Sequence, residues 1–521
     1  MVLPTLSRSF ITLAWAAAGA VALPQGGSPG APVLKVQTSS GMVQGAINVT
    51  TPTVRTFLGI PYAEPPVDNL RWMPPVPANN SDRVIDATSW GLNCPQFEPK
   101  MDSIDYNDVR EILYWGDIGE DCLSLSVWAP LHPECKPLPV FIFIHGGSYQ
   151  AGGSTVPYQN PSKWIERTQS HIVVSIQYRL NIFGFPNAAG LETQNVGLLD
   201  QRMAIKWVQA NIAAFGGDPS RMILFGQSAG GQSTDIQNFA FPDDPVVQGF
   251  MPLSGSSLLG INTTDLDRTG FSQAAALCNC STPDPAAELA CMQKVPMDKL
   301  LEAVEAIDVI GLVFAPVADE KTYFNNYTER LLEGHVSDRP VVYGTTLNEG
   351  VTFVDYPEDP DTQTPDLDVA ELFRLSRFLC PVSNLIQLRQ QVGKPTWFRE
   401  YRGNFTNVSP RWWIGAAHGA DLPLIFGTAG DFRSPETPFE TQVSHKMQDF
   451  MMAFALDPLN GLSKAGWSDS TSNTYLAIAA EKNGTGHGGN NDGLVTVEQP
   501  LQSVFNICKD FPLYLPPVPI E

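Results

Sequence analysis

Ser228 lies in Arg221-Met-Ile-Leu-Phe-Gly-Gln-Ser-Ala-Gly-Gly231, where an apolar run breaks into Gly226-Gln227-Ser228-Ala229-Gly230. A serine on so sharp a turn between a strand and a helix holds its hydroxyl clear of the chain as a nucleophile. Glycines two residues before and after it let the two elements pass without a side-chain collision. Gly26-Gly27-Ser28-Pro29-Gly30 has the same G-x-S-x-G pattern, but no apolar strand precedes it and no helical pattern follows, so it reads as a flexible mature N-terminus. Upstream of Ser228, Leu199, Met203, Trp207, Ile212 and Phe215 recur at roughly helical spacing, and Gly216-Gly217 stops the pattern. The expected order is a helix, a tight turn, a buried strand and then the serine.

A serine hydroxyl near neutral pH needs a base within hydrogen-bond reach, an acid to orient that base, and donors for the developing oxyanion. In α/β hydrolases, whose nucleophile stands on such an elbow, the chain order is serine, acid, histidine. Of seven histidines, His335, His418, His445 and His487 follow the serine. His445 falls off the apolar stripe of Val443, Met447, Phe450, Met451 and Phe454 and reads as a surface residue. His487 sits among glycines that would not hold an imidazole rigid, and His335 precedes the best acid. His418, in Gly415-Ala-Ala-His-Gly-Ala-Asp421, is flanked by small residues, as a base approaching a serine should be; a plain buried or surface histidine is the alternative.

For the acid, Pro340-Val-Val-Tyr-Gly-Thr-Thr-Leu-Asn-Glu349 reads as a buried strand leading to a loop carboxylate. Parallel sheets present functional groups just past the C-terminal ends of their strands. Taken alone, a solvated loop glutamate is the simpler reading. Val140-Phe-Ile-Phe-Ile144 is continuously apolar and reads as a central parallel strand. It opens into His145-Gly146-Gly147-Ser148, whose backbone N–H groups can face a substrate oxygen together with that of Ala229; an ordinary glycine turn is the alternative.

The supporting framework is expected to be one large domain, residues 23–521, since the 521-residue chain shows no repeat, low-complexity tract or linker, and 43% of it is apolar. Residues 1–22 read as a secretion signal: Arg8 gives a positive flank, Phe10 to Ala22 is apolar, and Ala20-Val21-Ala22 offers a cleavage site. That stretch is shorter than the ~20 residues a spanning helix needs, so a secreted, extracellular product without integral membrane association is expected. Eight N-x-S/T sequons, at Asn48, Asn79, Asn262, Asn279, Asn326, Asn404, Asn407 and Asn483, and an even set of eight cysteines agree with that compartment; Pro410 makes Asn407 a poorer acceptor. Cys278-Asn279-Cys280 is too isolated for a zinc site, and neither metal nor cofactor is expected. A net charge of −22 with 32 Lys plus Arg lacks the basic face that nucleic acid requires.

The chain resembles the type-B carboxylesterases, the group of cholinesterases and large fungal lipases, from about Val33 to the C-terminal region. The motifs are Phe57-Leu-Gly-Ile-Pro-Tyr62, Glu120-Asp-Cys-Leu-Ser-Leu-Ser-Val127, Phe215-Gly-Gly-Asp-Pro219, Phe225-Gly-Gln-Ser-Ala-Gly-Gly231, Asn348-Glu-Gly350 and the segment around His418. The resemblance implies an α/β-hydrolase fold: a large, mostly parallel central sheet flanked by helices, with a disulfide-closed loop over an active-site gorge. It implies hydrolysis of carboxylic esters of small-molecule or lipid type, with Ser228 as nucleophile, Glu349 as acid, His418 as base, and Gly147, Ser148 and Ala229 as oxyanion donors. It further implies disulfides Cys94–Cys122 and Cys280–Cys291, with Cys278 a possible substitute for Cys280 and the partners of Cys135, Cys380 and Cys508 open.

There are two departures. Ser148 stands where the family commonly has glycine, and Gln227 where many relatives carry glutamate, which weakens the case for a cationic ester. The acyl-pocket stretch near Ile310 to Leu312 is aliphatic. An esterase for soluble substrates, a triacylglycerol lipase whose Cys94–Cys122 loop swings away, and a non-catalytic binding protein on the same fold are the alternatives.

Overall fold

The computed structural model describes residues 33–97, 102–132, 136–307, 312–481 and 493–511. Its strands are β1 (Lys35–Thr38), β2 (Gly41–Gln44), β3 (Ala46–Ile47), β4 (Val54–Pro61), β5 (Ser81–Asp86), β6 (Ser124–Pro130), β7 (Leu138–Ile144), β8 (Ile172–Ile176), β9 (Gly217–Gln227), β10 (Gly249–Leu253), β11 (Val341–Thr346), β12 (Thr396–Tyr401), β13 (Thr474–Ala480) and β14 (Leu494–Pro500). β1, β2 and β5 form a small sheet. The other 11 strands form one large sheet in the order β14-β13-β12-β11-β10-β9-β7-β8-β6-β4-β3. From β13 to β8 every neighbouring pair is parallel. The ends beyond β13 and β8 pair antiparallel. This is the large, mostly parallel sheet of an α/β hydrolase.

Sequence chemistry explains the centre. All of β7 is buried, and its side chains alternate between two cores: Val140, Ile142 and Ile144 join one, Phe141 and Phe143 the other. β9 repeats this, with Met222 and Leu224 on one side and Ile223 and Phe225 on the opposite side. A strand covered by helices on both faces has no polar face to show, so its sequence is apolar throughout. Deleting a ring such as Phe143 would cost about 3–5 kcal/mol.

The helix before the elbow is Val196–Asn211, continued as a 3-10 turn over Ile212–Phe215 and ended by Gly216 at φ 98°. Its buried face is rotated from the expected stripe: Leu198, Ile205, Trp207 and Val208 are buried while Leu199 and Met203 are only half-buried. The cause is a polar group that hydrophobic spacing overlooks. Asp200 is fully buried on this face because it takes a two-pronged ion pair from Arg179, at 2.7 and 2.8 Å.

Disulfides join Cys94 to Cys122, Cys280 to Cys291 and Cys380 to Cys508. The third ties the start of the helix Cys380–Gln391 to the end of the helix Leu501–Cys508. Cys278 is a free thiol; Cys135 lies outside the described residues, as do residues 1–22, expected to be a signal, and Asn483 and His487. Asn48, Asn79, Asn279 and Asn326 are exposed, and Asn262 and Asn404 half-buried. Asn407 is buried, and its amide donates to Ala429 O and Glu440 Oε2. Among the described residues no helix is long and apolar enough to cross a membrane.

Candidate active site

Ser228 joins β9 to the helix Ala229–Ala240, with φ 59° and ψ −125°. A non-glycine residue in that region is strained, by roughly 1–3 kcal/mol, and holds only where its surroundings over-determine it. Here they do so. Ser228 N donates to Leu253 O at 2.9 Å and Gln232 N to Ser228 O at 2.8 Å, while side chains at Gly226 or Gly230 would collide with the carbonyls of Gly230 and Ile144. Close passage of strand and helix is therefore paired with glycine at both points.

β7 delivers the second part. After Ile144 the chain turns through Gly147 at φ 103° and Ser148 at φ 54°. A Cβ on Gly147 would collide with Ala151 O, so that position requires glycine twice over, for its φ and for its space. Ser148 adopts the left-handed conformation that a third glycine would enter without strain. Gly147 is exposed and Ser148 half-buried, which leaves this backbone open to a ligand beside the first turn of the helix at Ala229. That turn begins with N–H groups that have no acceptor within the helix. Beneath, His145 stacks on Tyr178 at 4.4 Å, and Tyr178 donates to His145 O at 2.9 Å. Burial holds the His145 imidazole down to about pKa 4, so it is neutral there and supports the turn without adding charge.

The third part is the pair Glu349 and His418. Glu349 follows β11 on a short 3-10 turn, Glu349–Phe353, and is fully buried. Its Oε1 accepts Thr346 N at 2.7 Å and its Oε2 lies 2.6 Å from His418 Nδ1. Asn348 stitches the two loops together: its N donates to Ala416 O at 2.9 Å and its amide to Ile414 O at 2.7 Å. A carboxylate at that distance fixes Nδ1 as the protonated nitrogen and turns Nε2 outward as an acceptor.

Nε2 lies 3.0 Å from Gln227 Nε2, on the residue before the serine. No hydrogen bond joins Ser228 to His418 in this structure. His418 is thus brought to the elbow but bonded to its neighbour. Phe353 and Phe378 flank the imidazole, each ring centroid 4.9 Å away, and stand 5.5 Å from one another. Sequence reasoning missed both. Phe353 was detectable in principle, four residues past Glu349 on the same turn; Phe378, on a π-helical turn spanning Arg374–Leu379, gave no local signal. Of the other histidines, His335 and His445 are exposed.

The loop closed by Cys94–Cys122 stands beside this pair. Its helix Ile104–Asn107 and the residues after it are held by charge: Arg411 Nε meets Asp108 Oδ1 at 2.7 Å, Tyr356 donates to Asp108 Oδ2 at 2.7 Å, and Arg433 meets Glu111 Oε1 at 3.0 Å. Asp108 is only 4% exposed at its side chain, so its own bonds are partly shielded from water and salt, whereas the Arg433–Glu111 pair is more open to both. Within the same loop Trp115 is 58% exposed. Of the aliphatic stretch Ile310 to Leu312, residues 310 and 311 lie outside the described residues.

Comparison with known proteins gives a consistent picture. The sequence profile of the Carboxylesterase family matches residues 32–367 and 355–493. A "Chlorogenic acid esterase" of Aspergillus niger is 40% identical over 461 residues, covering 87% of this chain and 89% of its own. "Secreted lipase 5" of Gibberella zeae is 41% identical over 468 residues, with 83% and 87% covered. "Para-nitrobenzyl esterase" of Bacillus subtilis is 30% identical over 455 residues, with 81% and 89% covered.

Proposed function

Because the chain belongs to the carboxylesterase family and is a carboxylic ester hydrolase, we propose that Ser228, His418 and Glu349 carry the reaction through an acyl-enzyme. Ser228 Oγ attacks the ester carbonyl while His418 Nε2 takes its proton; the N–H groups of Gly147, Ser148 and Ala229 receive the oxyanion. The imidazolium returns the proton to the departing alcohol. His418 then activates water against the acyl-serine, and Glu349 keeps the proton-bearing nitrogen turned away from the substrate. The observation that carries this reading is the 2.6 Å bond between Glu349 Oε2 and His418 Nδ1, which aims the other ring nitrogen at the elbow. Ser228→Ala should fold as the parent does and lose nearly all turnover of p-nitrophenyl butyrate. Hydrolysis at the parent rate would refute the assignment.

The substrate we favour is a soluble ester rather than a lipid aggregate. A lipase that opened the Cys94–Cys122 loop would have to break the bonds of buried Asp108 to Arg411 and Tyr356 and the more exposed pair of Glu111 with Arg433. Secretion is the compartment we assign, supported by the apolar N-terminal segment, the disulfides and the kinship to a secreted lipase. Glycans are proposed at the exposed sequons Asn48, Asn79, Asn279 and Asn326; Asn407 would have to give up two buried hydrogen bonds to carry one.

A further inference from the structure

The imidazole that must accept a proton has its acceptor nitrogen already engaged. Glu349 fixes the proton on Nδ1, so Nε2 of neutral His418 has one lone pair, and the Gln227 amide nitrogen lies 3.0 Å from it. Gln227 is 4% exposed, and it is wedged: its Oε1 packs over Gly146, where a Cβ would come within 2.8 Å, and its Nε2 packs beside Gly419, where a Cβ would come within 3.5 Å. Side chains at Gly146 would thus meet the amide, and Gly419, at φ 80°, lets the histidine loop pass it.

From this geometry we infer that Gln227 is a positioning residue that parks His418, donating its amide N–H to Nε2 so that Ser228 must displace it before each attack. The inference rests on the triad reading above. In the parked form the lone pair is occupied and the serine hydroxyl has no base. In the engaged form Ser228 Oγ–H takes over the same lone pair, and once its proton has moved, Nε2–H is itself a donor and repels the amide N–H. Gln227 therefore favours neutral His418 and opposes the imidazolium until the amide turns its oxygen to the ring. A glutamate at this position, as many relatives carry, would do the reverse: it cannot donate when ionised and would stabilise the imidazolium. The departure from the family thus changes the resting state of the base as well as local charge.

The groups facing His418 are few. Glu349 binds Nδ1; Asp105, on the helix Ile104–Asn107, interacts with the ring through its charge; Phe353 and Phe378 flank it without titrating. Burial pushes the Asp105 carboxyl up to about 6, so an Asp105→Asn background separates its titration from that of the base.

The test measures the rate at which a small fluorophosphonate labels Ser228, and the pH profile of kcat/KM, in Gln227→Met and Gln227→Glu. Removing one hydrogen bond to the acceptor should raise the labelling rate of Gln227→Met by about 2- to 10-fold, and shift the acid limb upward by the matching 0.3 to 1 pH unit or so. Gln227→Glu should shift that limb further, by roughly 1–3 units, and both shifts should persist with Asp105→Asn. Labelling and limb unchanged in Gln227→Met, or equal loss of activity in both variants without movement of the limb, would overturn parking and leave the triad standing. Absence of labelling at Ser228 in the parent would instead remove the triad itself.

Discussion

Glu349 Oε2 lies 2.6 Å from His418 Nδ1, while the other oxygen of the same carboxylate accepts Thr346 N at 2.7 Å. Glu349 is therefore held by its own strand end and can hold His418 in turn. Glu349→Gln keeps the size and one acceptor but can offer an N–H to Nδ1, which favours the wrong tautomer. We expect a fall in kcat of up to about 10⁴-fold, with an unchanged melting curve. Parent-level kcat would show that the pair is merely structural.

Gly147 has no room for a methyl group and a φ of 103°. Gly147→Ala should displace the turn that carries the proposed oxyanion donors and lower kcat by at least ~10²-fold. KM should change far less, since the donors act on charge that develops after binding. Comparable effects on KM and kcat would place the turn in substrate binding instead.

The closed loop offers a physical test of substrate class. With Asp108 and Glu111 held by Arg411 and Arg433, the parent should show no rate jump as a triglyceride or long-chain ester passes its solubility limit. Asp108→Asn combined with Arg433→Met should loosen the loop and introduce one. A jump in the parent would make it a lipase with a working lid.

Glu440 links pH to stability. It is fully buried, accepts from Asn407 Nδ2 and Thr437 N, and leaves Oε1 without a hydrogen-bond partner. Burial, opposed by those bonds, carries its carboxyl from 4.5 up to about 7. Between these values the folded state holds a proton that the unfolded chain has released. This contribution to stability is complete below about 4.5 and is lost as pH rises through about 7. Glu440→Gln should therefore melt a few degrees above the parent at pH 8 and lose that advantage by pH 5, as read by calorimetry. A constant difference across that range would mean that the carboxyl does not titrate there.

The elbow at Ser228 was legible as a local pattern, since a strand that ends in a constrained turn announces itself through glycine and apolar runs; Glu349 and His418, the proposed acid and base, owed their assignment to chain order and to the resemblance, because each alone reads as an ordinary loop residue. The sheet followed from the same runs, since burial on both faces leaves β7 and β9 apolar. What stayed hidden depends on residues that meet only after folding. Arg433 and Glu111 are 322 residues apart, Cys380 and Cys508 are 128 apart, and Phe378 reaches His418 from a π-helical turn. Gln227 was visible as a substitution beside the serine, yet its bond to His418 needed the coordinates. The helix Val196–Asn211 misled the hydrophobic count because Asp200, a charge, is buried on it.

The most direct test traps the intermediate. Acid quenching during turnover of p-nitrophenyl butyrate, followed by peptide mass spectrometry, should find a butyryl group on the peptide that carries Ser228, up to one equivalent per chain, and none in Ser228→Ala. Full turnover with no acylated peptide, or with the acyl group on another residue, would contradict the account.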